Sequence, residues 1–135
     1  MLDRVKPVID CDIHPGVPGI AALLPYMDAF WQEQFTSRGI DNMEIASYPP
    51  TAPLTCRPDW RDEGKKPGES LEMLQARVLD GFGAQFAICN PLYGGQVAMS
   101  ELMGTAICAA MNDWIQKEWL DAEPRLRASI VVNLG

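Results

Sequence analysis

Val8-Ile9-Asp10-Cys11-Asp12-Ile13-His14-Pro15 reads as a short buried strand that ends on a carboxylate and an imidazole two residues apart. Side chains alternate across a strand, so residues i and i+2 share a face. This places Asp10, Asp12 and His14 on one face and Ile9, Cys11 and Ile13 on the other. Two acids and the chain's one histidine on a single face of an apolar strand carry a desolvation cost. A bound divalent cation is one way to offset it.

Beyond the strand, Pro15-Gly16-Val17-Pro18-Gly19 turns the chain. Leu23, Leu24, Met27, Phe30, Trp31 and Phe35 recur every three or four residues and predict a helix over 20–35. Pro25 lies in its first turn and Gly39 just past its end. Residues 40–68 contain Pro49, Pro50, Pro53, Pro58 and Pro67, with mixed charges at 61–66. They read as a long irregular loop over one end of the fold, its charges a solvated face.

A second helix is expected over 71–80. Ser70 caps it, Leu71, Leu74, Val78 and Leu79 form its buried stripe, and Gly81 and Gly83 end it. Residues 85–90 read as a second strand, stopped by Pro91. A third helix is expected over 97–120, with Met103, Ile107, Ala110, Met111, Trp114 and Ile115 inward, and a third strand over 127–132. Strands alternating with helices imply an α/β fold with parallel pairing. The lack of strict alternation within the strands implies a sheet covered on both faces.

A chain of 135 residues, 47% of them hydrophobic, has the material for one domain core. Its net charge of −7 argues against a general nucleic-acid binder and against adhesion to anionic membranes. Among Cys11, Cys56, Cys89 and Cys108 there is no C-x-x-C pair. Cys11, Cys89 and Cys108 sit in apolar runs and read as small buried thiols in a reducing compartment. The N-terminus lacks the apolar stretch of a signal peptide, and no run approaches the ~20 residues of a membrane span. The expectation is a cytoplasmic protein.

The Asp12-Ile13-His14 pair at the C-terminal end of a strand suits Zn²⁺, Mn²⁺ or Fe²⁺. In parallel α/β architectures that end is where active sites collect. The plainer alternative is a histidine that caps the strand and bonds to Asp12. The position directly after the first strand and before a Pro-Gly turn favours the ligand reading. Asn90 and Tyr93, just beyond the second strand, are candidates to line the pocket.

The stretch from Val8 to Pro15 resembles the start of the amidohydrolase-related proteins, a family of metal-dependent hydrolases and non-oxidative decarboxylases. Leu23 to Trp31 resembles the helix that follows in many members, and Gly81 to Ile88 the helix exit and second strand. Asn112-Asp113-Trp114 and Pro124 to Val132 resemble the later helix and third strand. The resemblance implies a TIM-like (β/α)8 barrel, a small-molecule substrate and a divalent metal. It places Asp12 and His14 at the first-strand metal-ligand positions. The commoner pattern there is His-x-His, with Glu-x-His in some decarboxylases; here an aspartate stands first.

Such barrels take about 250 residues. The expectation is therefore a single partial domain over 1–135: an N-terminal portion with about three parallel strands, the barrel incomplete. It is either a truncated product or one completed by a second chain or homo-oligomer. The family's remaining ligands come from later strands, and a lone copy should bind metal weakly. Two rival readings are a haloacid-dehalogenase-type phosphohydrolase, with Asp10 as nucleophile and Asp12 as general acid, and a non-catalytic interaction piece. The first rival usually has Thr or Val where His14 stands, and Lys117 lies mid-helix with no acidic pair evident.

Overall fold

A computed structural model describes residues 8–43, 57–60, 64–66, 68–98 and 100–134. Three strands, β1 (Val8–Ile13), β2 (Ala84–Cys89) and β3 (Leu126–Ala128), lie in that order and run parallel. Parallel neighbours cannot be joined by a tight hairpin, so helices make the crossovers. No helix among the described residues is long and apolar enough to cross a membrane.

The helix expected over 20–35 is broken. Helix α1 (Ile20–Leu23) passes into a 3-10 turn at Leu24–Tyr26 that contains Pro25, and α2 runs over Ala29–Ser37. Met27 is extended, and Asp28 starts the new helix by accepting the Trp31 N–H at 2.9 Å. The break re-phases the apolar spacing. Leu23, Met27 and Phe35 are buried, but Phe30 is exposed. Gly39, at φ 64°, closes α2 in the left-handed conformation.

Of the irregular stretch expected over 40–68, residues 44–56, 61–63 and 67, Cys56 among them, lie outside the described residues. Helix α3 (Leu71–Leu74) continues as a π-helical turn over Gln75–Asp80, and Ser70 Oγ accepts the Met73 N–H at 3.2 Å. Helix α4 (Glu101–Ile115) continues likewise over Gln116–Leu120. It starts later than the expected residue 97, because a 3-10 turn at Gly94–Val97 comes first and Ser100 supplies the cap. The third strand has three residues rather than six. After it the backbone of Val131 is taken by Asn112 instead of a neighbouring strand.

Ile13, Ala87, Cys89 and Leu126 turn one face of the sheet into a buried cluster with Leu79, Ile107 and Met111. The other face is open: register partners Ile9 and Phe86 are 54% and 41% exposed. The expectation of a sheet covered on both faces is thus corrected. Its second face is apolar but uncovered among the described residues.

Strand β1 departs from simple alternation. Asp10 pairs with Ala87 and Ile13 with Cys89, so three steps along β1 match two along β2. Asp10 Oδ1 accepts the Asp12 N–H at 3.0 Å, a local bond that competes with the ladder. Ile13 faces the core, whereas Ile9 and Cys11 are exposed. The reading of Ile9, Cys11 and Ile13 as one buried face fails at this bulge, and with it the buried Cys11. Cys89 and Cys108 are buried as expected.

Candidate active site

The C-terminal ends of the three strands converge on one polar cluster. Asp12 and His14 come from the end of β1, Asn90 from the residue after β2, and Ser129 from the residue after β3. Asp12 Oδ1 and His14 Nε2 are 3.5 Å apart. The Asn90 N–H donates to Ile13 O, which carries β1–β2 pairing one residue past the strand ends.

His14 Nδ1 lies 2.9 Å from the backbone carbonyl oxygen of Asn90. A carbonyl oxygen only accepts, so Nδ1 carries the proton. In the neutral ring Nε2 then presents its lone pair on the side of Asp12. The Asn90 side chain is equally determined. Its Nδ2 donates to Asp12 Oδ1 at 3.0 Å and to Cys11 O at 3.1 Å, both pure acceptors, while its Oδ1 accepts from Ser129 Oγ at 2.8 Å. Reversing the amide would break both bonds from Nδ2.

A carboxylate oxygen and an imidazole nitrogen bound at ~2.0–2.2 Å to one tetrahedral ion stand about 3.4 Å apart, close to the separation of Asp12 Oδ1 and His14 Nε2. The pair fits as two ligands. Among the described residues no group of three or more His, Cys, Asp or Glu side chains is placed to hold a metal. Burial pushes the Cys89 thiol up to about 11, so in the metal-free chain it stays protonated near neutrality.

His14 also forms part of the wall of a cavity of about 160 Å³, with Ile13, Trp60, Leu74, Arg77 and Val78. An apolar cavity of ~150 Å³ accepts a benzene-sized guest, so this one has room for a single-ring body.

Of the residues singled out by sequence, Asp12, His14 and Asn90 come together. Tyr93 is buried, and its hydroxyl accepts the Met43 N–H at 3.1 Å. Asp10 Oδ1 accepts the Asp12 N–H. Ser129 was missed, because a third strand over 127–132 buried it mid-element. Its hydroxyl in an otherwise apolar run was the available signal.

The family model described as Amidohydrolase matches residues 9–135. The chain belongs to the amidohydrolase family. Its three parallel strands and intervening helices are consistent with part of that family's TIM-like barrel. The amidohydrolase match covers β1, β2 and β3 together, so the polar cluster lies wholly within it. No curated protein matches this amidohydrolase.

Proposed function

We propose that Asp12 and His14 hold a divalent cation, Zn²⁺, Mn²⁺ or Fe²⁺, in a hydrolase acting on a small molecule whose body occupies the cavity beside His14. The observation that carries this reading is the 3.5 Å separation of Asp12 Oδ1 and His14 Nε2, with His14 Nδ1 turned to the Asn90 carbonyl, at the C-terminal end of a parallel strand. When bound, the cation supplies Lewis acidity for C–N or ester hydrolysis, or orients the carboxylate of an acid that loses CO2. Asp12 contributes negative charge to the ion, and His14 a neutral nitrogen donor. Ile13, Trp60, Leu74 and Val78 give the cavity an apolar wall, and Arg77 places a cation at it. Free thiols at Cys11, Cys89 and Cys108 support a cytoplasmic setting.

Calorimetric titration with Zn²⁺ or Mn²⁺ tests the site. The chain should take up one equivalent, and both Asp12→Asn and His14→Ala should lose it while keeping the melting temperature within a few degrees. Unchanged binding in both variants would refute the assignment.

A further inference from the structure

We infer that Asn90 and Ser129 are positioning residues for the Asp12–His14 pair: Asn90 holds both candidate ligands at the end of β1, and Ser129, just past β3, completes the relay by holding the Asn90 side chain. The inference rests on the metal reading above and adds two residues with no ligand role of their own.

Each link has a defined direction. Ser129 Oγ donates to Asn90 Oδ1 at 2.8 Å, and the Ser129 N–H anchors that residue to Cys89 O at 3.0 Å. Asp12 Oδ1 and Cys11 O only accept, so they take Nδ2 of Asn90 and leave its Oδ1 to the Ser129 hydroxyl. The bond to Asp12 Oδ1 fixes the carboxylate on the side facing His14. The backbone carbonyl of the same Asn90 accepts the Nδ1 proton of His14 and leaves Nε2 as the donor atom. One residue thus sets the rotamer of the acid with its side chain and the tautomer of the imidazole with its main chain. Ser129 holds the far end of that side chain in place.

The physical need is local. Asp12 is 73% exposed at its side chain, and an exposed carboxylate samples several rotamers unless a bond selects one. The bulge at Asp10–Ile13 removes the regular ladder that would otherwise hold this end of β1 against β2. The bonds from Asn90 to Cys11 O, Ile13 O and Asp12 Oδ1 replace it.

The test titrates Zn²⁺ into the native chain and into Asn90→Ala, Ser129→Ala, Ser129→Thr and His14→Ala, with the melting temperature of each measured alongside. Loss of the outer hydrogen bonds of a metal ligand typically costs 10–100-fold in affinity. Asn90→Ala and Ser129→Ala should each weaken Zn²⁺ binding by roughly that factor, and Ser129→Thr, which keeps the hydroxyl, should restore it. Ser129→Ala removes only one oxygen atom, so it supplies the answer if Asn90→Ala does not fold. Because the chain has one histidine, long-range ¹H–¹⁵N spectra of the metal-free protein report its tautomer directly. The proton should sit on Nδ1.

Binding lost in His14→Ala but unchanged in Asn90→Ala and Ser129→Ala overturns the relay and leaves the metal site standing. Binding unchanged in His14→Ala overturns the metal reading itself. A proton on Nε2, or affinity losses that only track melting temperature and are not restored by Ser129→Thr, also overturns the relay.

Discussion

The side-chain amide of Asn112 brackets the backbone of Val131: Nδ2 donates to Val131 O at 2.9 Å, and the Val131 N–H donates to Oδ1 at 2.9 Å. The helix side chain thus does what a neighbouring strand would do, and it holds the segment after β3 against α4. Asn112→Ala leaves a donor and an acceptor unpaired at a position where Val131 is buried. Such a loss costs roughly 1–3 kcal/mol. Urea unfolding should show it. Asn112→Asp, which can still accept but not donate, should fall between the two. A midpoint unchanged in Asn112→Ala would show that the bracket contributes nothing.

Gly68 stands against the site. Its φ is 83°, and a Cβ there would lie 2.5 Å from the carbonyl oxygen of His14. Its own carbonyl accepts the Gly16 N–H at 2.8 Å. Gly68→Ala should cost more than the ~1–2 kcal/mol of left-handed strain alone and should weaken Zn²⁺ binding by displacing His14. Gly64, at φ 76° with nothing near its would-be Cβ, is the control. Gly64→Ala carries the strain but should leave Zn²⁺ affinity unchanged. Equal affinities in the two variants would contradict this account.

Glu123 ties the opposite end of the sheet together. Its Oε2 accepts from Arg125 Nη2 at 2.8 Å and Gln75 Nε2 at 2.9 Å, and Arg125 also donates to Asp80 at 2.7 Å. Hydrogen bonding from Arg125 first, then from Gln75, holds the buried carboxyl down at about 2 from an ordinary 4.5. The folded value lies below the unfolded one. The stabilisation is therefore complete above about pH 4.5 and is lost as pH falls toward 2. Glu123→Gln should lower stability at pH 7 by roughly 2 kcal/mol and flatten this part of the acid limb. Chemical denaturation at pH 7, 4 and 2.5 checks it; parallel pH profiles for native and variant chains would count against it.

Much of the architecture could be read from sequence because its signals are local. Ser70 caps a helix, the stripe through Leu74 and Leu79 faces the core, and the apolar run 84–89 pairs with β1. What the sequence concealed depends on tertiary partners. The break before Asp28 is decided by a cap bond that outweighs the continuous apolar spacing. The bulge in β1 arises from a side chain competing with the strand ladder, which exposes Cys11. The closeness of Asp12 and His14 was legible because i, i+2 spacing near a strand end is a short-range property. The closeness of Ser129 was not, since it joins the cluster only through Asn90, 39 positions away.

That separation has a kinetic meaning. His14 reaches Asn90 across 76 positions and Asn90 reaches Ser129 across 39, so each inter-strand bond of the constellation waits for a long crossover to close. Contacts this distant along the chain are paid for in loop entropy before they return anything, which makes their assembly slow. The solitary imidazole is thus a late marker of folding: its Nδ1–H resonance should emerge only once β1 and β2 have paired, after the local helices have formed.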